Sequence, residues 1–184
     1  GEIVSTKNGE QKIAAEPKET EERKLTVTAD VPLNVIYKAW HMCGRMEKEF
    51  FATDLLSDIF SGGKSGRLYQ ALVKEKKLFS EIDAYITSSV DPGMFVIEGK
   101  LLPDVSMEKA EENILAEVEK MKTELVADEE LQKVKNNFAA GEYRRLSSNM
   151  PILMQLIQHD GHGNWREINE AGPKIQAVTA ADVK

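Results

Sequence analysis

Asp91-Pro92-Gly93 constrains this chain more than any other feature. Proline fixes φ and glycine permits positive φ, so the three residues make a turn for a physical reason. Ser80 to Val90 before it and Met94 to Leu102 after it read as strands, which predicts a β-hairpin. Upstream, Val35 to Cys43 is β-branched and aromatic (Val35, Ile36, Tyr37, Trp40) and predicts another strand, ended by Gly44. Leu25, Val27, Ala29 and Val31 alternate with Lys24, Thr26, Thr28 and Asp30 until Pro32. That is the period of a half-buried strand. Residues 1–23 are polar and mixed in charge, which predicts a linker or extended arm with no core face.

The other segments have a helical period. Phe50, Phe51, Leu55, Ile59 and Phe60 fall on one face of a helix over Glu47 to Ser61, with Asp54 and Asp58 outside. A glycine-rich break, Ser61 to Gly66, precedes a short helix over Arg67 to Lys76, with Leu68 and Leu72 inward. Ser106 caps a helix whose stripe is Met107, Ala110, Ile114, Leu115, Val118 and Met121. Asp128 opens the next, with Leu131, Val134, Phe138 and Leu146 on its core face. Pro151 to His159 is apolar enough to predict a mostly buried helix, and Trp165 to Glu170 adds a turn or two. Thr179 to Asp182 has capping-box spacing, so a helix starts where the sequence stops. With Gly1 at the start, this predicts a piece of a longer protein, truncated at its C-terminus. Short strand connections favour antiparallel pairing, and the helices are bunched. The expected fold is therefore α+β, a single domain over residues 24–184: a two-layer, mainly antiparallel sheet covered by helices on one face.

Charge and cysteine usage narrow the function. Thirty-one acidic against 24 basic residues gives net −7, the opposite of the basic stripe of a nucleic-acid binder. One cysteine allows no internal disulfide framework. No apolar run has the length of a membrane span, and no signal peptide opens the sequence.

Candidate chemistry is sparse. His159-Asp160-Gly161-His162 is an H-x-x-H, but Gly161 lies between the histidines and the motif has no glutamate base. It reads as a helix C-terminus where imidazoles cap the last carbonyls. His41 and Cys43 share a strand face, without a group to activate the thiol, and Cys43 reads as a buried, inert side chain. Gly62-Gly63-Lys64-Ser65 resembles the end of a phosphate loop. A phosphate loop needs glycine where Ile59 stands and a strand before it, so a helix–helix turn with positive φ fits better. Lys64 and Arg67 remain able to grip a partner's carboxylate or carbonyl. Paired acids (Glu21-Glu22, Glu111-Glu112, Glu129-Glu130) read as solvated faces, and Trp40 and Trp165 as core or interface. No self-sufficient active site is assembled.

A family resemblance lies in five segments, in order. Leu55 to Tyr69 (LLSDIFSGGKSGRLY) is similar to the "LLxxILxGGxxSRLY" stretch of insulinase/pitrilysin-type zinc peptidases, and Val73 to Leu78 to the "EKxL" that follows. Asp91 to Phe95 resembles their "DPGLF" turn, Asp128 to Asn136 their "EEELxxxKN" helix, and Val178 to Val183 their "VTAEDV". The resemblance implies a two-layer α+β domain that works in tandem or as paired chains, closing like a clamshell around a peptide chamber. Zinc in such proteins sits in another domain, on an inverted H-x-x-E-H helix with a distant glutamate. This chain has no H-x-x-E-H, so it resembles the non-catalytic domain that follows the zinc domain. Its implied role is part of the chamber wall and the inter-domain interface of a zinc metalloendopeptidase. The alternative is a structural or binding homologue that has lost peptidase activity, as in respiratory-complex core proteins.

The resemblance also implies a peptide or protein substrate, a zinc-bearing domain in cis, and a second half-molecule in cis or trans. It implies no cofactor in this chain and zinc in the parent protein. Gly62, Gly63, Lys64, Ser65, Arg67 and Tyr69 are the candidate substrate or domain contacts. The substrate-holding Arg and Tyr of the family's opposing half are replaced here by Val73 and Ser80. The glycine-rich loop is also shorter than in the mitochondrial processing type. A bacterial periplasm or cytoplasm is the expected compartment, with the mitochondrial matrix as the alternative.

Overall fold

The computed structural model describes Ala14, Pro17 and residues 19–184, so most of the expected arm lies outside the described residues. The chain divides into two units, one ending at Val31 and one running from Pro32 to Lys184. In the first, residues 24–31 form no ladder and their side chains are exposed, Leu25 to 88%. The strand expected there is absent among the described residues. Alternation makes a strand only where a neighbour supplies hydrogen bonds and an apolar face.

The second unit is the α+β domain. β1 (Val35–Met42), β2 (Phe79–Ile86) and β3 (Gly93–Leu101) form an antiparallel sheet in the order β1-β3-β2. Trp40 of β1 and Ile86 of β2 both pair with Phe95 of the central strand. The hairpin forms, but β2 ends at Ile86 rather than Val90, and Gly93 is the first residue of β3 without the positive φ expected of a turn glycine. Thr87 closes it: its N–H donates to the Met94 carbonyl (2.9 Å), and its Oγ1 accepts from the Met94 N–H (2.7 Å).

Helices cover one face of the sheet: α1 (Phe50–Ser61), α2 (Met107–Thr123), α3 (Asp128–Arg145), α4 (Asn149–Gly161), α5 (Glu167–Ala177) and α6 (Ala180–Val183). One core joins Phe79, Ile97 and Leu101 of the sheet to Leu55, Ile59 and Phe60 of α1. Ile114 of α2, Val134 of α3, Ile175 of α5 and Val183 of α6 complete it. Ser106 caps α2 through the Lys109 N–H (3.2 Å), and Thr179 and Asp182 form the complete capping box of α6.

The remaining departures are local. The segment after the glycine loop winds as a π-helix over Tyr69–Glu75, where an ordinary helix was expected. Leu68 and Leu72 are still fully buried, and the chain leaves through Lys77 at φ +52°. Met107, Leu115 and Leu146, expected inside, lie at the edges of their stripes and are exposed. α5 outruns the predicted turn or two and continues through Pro173 to Ala177, because Ala171 and Ile175 anchor it in the core. The largest departure is α4. It buries Gln155 and His159 and leaves Met150, Leu153, Met154 and Ile157 exposed.

Candidate functional site

The glycine loop leaves the end of α1, where the Ser61 hydroxyl donates to the Ala84 carbonyl of β2 (2.9 Å). Gly63 sits at φ +67°, a conformation that side chains with a Cβ rarely adopt, so the positive φ expected at this turn is present. A 3-10 turn follows over Gly63–Ser65, and the Gly66 N–H donates back to the Gly63 carbonyl (3.0 Å). The loop is then tied to the helical layer. Arg67 donates through Nε and Nη2 to both carboxylate oxygens of Glu130 (2.9 and 2.6 Å), the two-pronged geometry that makes Arg–carboxylate pairs strong. This bond holds the Arg67 guanidinium further above its ordinary pKa. Lys133 Nζ donates to the Ser65 hydroxyl (2.6 Å), and the Gln70 amide donates to the Lys64 carbonyl.

The candidate contact residues are thus unequal. Arg67 is held by α3, and Glu130 is its partner rather than part of a solvated face. Glu111 likewise pairs with Lys38 of β1 (2.8 Å). Gly63, Lys64 and Ser65 are exposed, while Tyr69 is half-buried. Val73 packs against the core, and the exposed Ser80 hydroxyl donates to the Lys100 carbonyl (3.1 Å).

A second feature was not legible in the sequence. Between α1, α3, α4 and α5 lies a cavity of about 380 Å³, lined among others by Asp54, Asp58, Glu142, Arg145, Gln155 and His159. Burial, and then the neighbouring Asp58, pushes the Asp54 carboxyl up to about 6, against the pull of Arg45 and Arg145. Burial also raises Asp58 and lowers His159. Arg45, at the rim, donates to the Ser88 hydroxyl (2.7 Å) and stands 5.1 Å over the Phe50 ring. Gln155 Nε2 and His159 Nδ1 are buried without a hydrogen-bond partner. Asp54 and Asp58 read as outward-facing from α1 alone. The i, i+4 spacing puts them on one face, and only the packing of α3 and α4 closes that face over Asp54. The cavity can hold and exchange a proton.

The H-x-x-H does not fit zinc. The rings of His159 and His162 are 6.3 Å apart, and each Nδ1 is buried without a partner. Neither ring caps a helix carbonyl as expected; the backbone N–H of His162 does that, donating to Gln158 (3.1 Å). A zinc site needs at least three protein ligands converging at about 2.0–2.3 Å. No group of three histidine, cysteine or acidic side chains among the described residues could hold a metal ion. Burial raises the Cys43 thiol, the opposite of an activated nucleophile. Trp40 packs on Phe95 at 6.0 Å in the core, while Trp165 is exposed beneath the Arg166 guanidinium.

Comparison with known proteins agrees with this picture. Residues 2–138 match the family described as the peptidase M16 inactive domain. The zinc protease PqqE of Helicobacter pylori is 29% identical over 153 residues, covering 80% of this chain and 34% of that protein. A crystal structure of a protease from Helicobacter pylori superposes with a TM-score of 0.80 at 22% identity, covering 85% of this chain and 38% of that one. A peptidase M16 inactive domain from Pseudomonas fluorescens superposes at 0.71 with 19% identity, covering 81% and 36%. The chain therefore spans about a third of the length of these relatives.

Proposed function

The chain belongs to the peptidase M16 family, as its inactive domain, and from this premise we propose that it is the non-catalytic domain of a zinc metalloendopeptidase. It forms part of the wall of a peptide-enclosing chamber and part of the interface to a zinc-bearing domain in cis. A second half-molecule, in cis or trans, completes the chamber. The observation that carries this reading is a family match over most of the chain in a sequence without an H-x-x-E-H motif. The zinc-bound water and general base of such a peptidase then come from outside this chain. What this chain contributes is shape: a three-stranded sheet under a helical layer, with the glycine loop pinned to α3 by Arg67.

Within the loop, Gly63, Lys64 and Ser65 are the residues that meet substrate or a neighbouring domain, because they stand exposed on a fixed turn. Arg67 serves them as an anchor. No helix among the described residues is long and apolar enough to cross a membrane. The relatives named above are bacterial, which supports a bacterial periplasm or cytoplasm.

The test is metal analysis and peptide hydrolysis on the purified chain, after equilibration with zinc and desalting. We expect far less than one zinc per chain and no cleavage. Stoichiometric, chelator-resistant zinc or measurable turnover would overturn the assignment.

A further inference from the structure

The cavity between α1, α3, α4 and α5 sets opposite charges facing each other without contact. Asp54 and Asp58 line it from α1, Arg145 from the end of α3, and Arg45 from the segment before α1. Both arginines attract the Asp54 carboxyl, yet neither acid makes an ion pair or a side-chain hydrogen bond among the described residues. Arg145 is paired with Glu142. Arg45 has no carboxylate partner there; it holds the Ser88 hydroxyl and lies over the Phe50 ring. Two side chains of α4 complete the polar lining. Gln155 and His159 are only 8% and 7% exposed, and Gln155 Nε2 and His159 Nδ1 lack a hydrogen-bond partner among the described residues. A buried polar atom is costly until something pairs with it, so these two point to an occupant. Phe50, Phe51, Phe138 and Ala171 supply the apolar wall.

We propose that this cavity binds a small zwitterion, an α-amino acid with an apolar side chain, its ammonium on Asp54 and Asp58 and its carboxylate on Arg45 and Gln155. The unpaired groups select that class. Ionised carboxylates only accept hydrogen bonds, so the acid pair needs a donor, and an ammonium carries three. No three histidine, cysteine or acidic side chains among the described residues could hold a metal ion, so the acids call for an organic cation. Arg45 and Gln155 Nε2 only donate, so they need an acceptor, and a carboxylate offers two oxygens. A simple cation would leave Gln155 Nε2 unpaired and stand beside two arginines. A simple anion would face two acids. Burial keeps His159 neutral, so its Nδ1 accepts from the ammonium in one tautomer and donates to the carboxylate in the other. Burial and Asp58 also hold Asp54 against ionisation, and an adjacent ammonium offsets both. The volume of about 380 Å³ lies within the roughly 300–1,000 Å³ of small-molecule sites.

Isothermal titration calorimetry of the full chain with L-leucine, to about 10 mM, tests this. The expected result is one site per chain. N-acetyl-leucine, which lacks the ammonium, and leucinamide, which lacks the carboxylate, should each bind about tenfold more weakly or worse. The variants should sort by ligand. Asp54→Asn should weaken leucine about tenfold without weakening N-acetyl-leucine further. Arg45→Gln should weaken leucine by a similar factor without weakening leucinamide further. Asp54→Asn removes a charge that burial opposes, so it keeps its fold, and unchanged circular dichroism checks that. Absence of binding at the highest leucine concentration overturns the proposal. So does leucinamide or N-acetyl-leucine binding as tightly as leucine, or a leucine affinity that Asp54→Asn leaves intact.

Discussion

Asp54→Asn replaces a carboxyl that the fold holds against its own ionisation. The wild-type group titrates at about 6 in the folded protein, against an ordinary 3.8, with burial the first cause and Asp58 the second. A raised pKa means that the native state holds the proton more tightly than the unfolded chain. The stability this provides is fully present below about 3.8 and is lost as pH rises to about 6. The gap corresponds to about 3 kcal/mol in all, of which about 2 kcal/mol falls between pH 4.5 and 7.5. Asparagine mimics the protonated acid and does not titrate. The other groups facing the cavity are Asp58, Arg45, Glu142, Arg145 and His159. They are present in both proteins, so their own titration largely cancels in the difference. Urea unfolding of wild type and Asp54→Asn at several pH values reads that difference directly. The variant should gain on wild type by about 2 kcal/mol between pH 4.5 and 7.5 and be the more stable protein at pH 7.5. A flat difference across this range, or a variant less stable than wild type at pH 7.5, would show that ionised Asp54 finds compensation in the cavity.

Arg67→Ala strands the half-buried Glu130 and should cost about 2 kcal/mol in urea unfolding, whereas Lys64→Ala should change stability by less than about 0.5. Equal effects from the two would refute Arg67 as the anchor of the loop. Gly99→Ala puts a Cβ 2.6 Å from a ring carbon of Phe79, so calorimetry should show a loss of about 2 kcal/mol, eased when Phe79→Leu is added. If Phe79→Leu brings no recovery, the clash is not the cause. Lys77→Gly relieves a side chain at φ +52° and should raise stability by about 0.5 kcal/mol, after the added freedom of the unfolded chain is subtracted. A loss on chemical denaturation would contradict that.

The features that could be read from the sequence are those whose cause is local. The Ser106 cap and the Thr179–Asp182 box depend on side chains within a few residues of the backbone they satisfy, and each forms, whereas Asp91-Pro92-Gly93 marks the hairpin loop without the positive φ expected at Gly93. The apolar spacing of α1 fixes its inward face, because Leu55, Ile59 and Phe60 must all find the same core. Family membership was legible for a related reason: its motifs are short stretches in order. The misread residues depend on neighbours remote in sequence. Leu25, Val27 and Val31 alternate like a strand but have no ladder to join among the described residues. Arg67 looked free to grip a partner until α3, 63 residues on, brought up Glu130.

Three tertiary decisions matter most for function. The glycine loop is held from outside itself, through Arg67–Glu130 and Lys133–Ser65. Asp54 is an ordinary helix-surface acid by sequence, and the closing of α3, α4 and α5 over it makes it a perturbed one, since desolvation depends on what surrounds a charge. For α4, periodicity located an apolar stripe but could not say which way it faces. A helix rotates freely about its axis until its neighbours occupy one side, and here they turned Gln155 and His159 inward and left Met150, Leu153, Met154 and Ile157 exposed. The sequence alone determined most of the elements, their order and the family. The tertiary structure decided which groups are buried, which are paired, and which apolar side chains stand exposed.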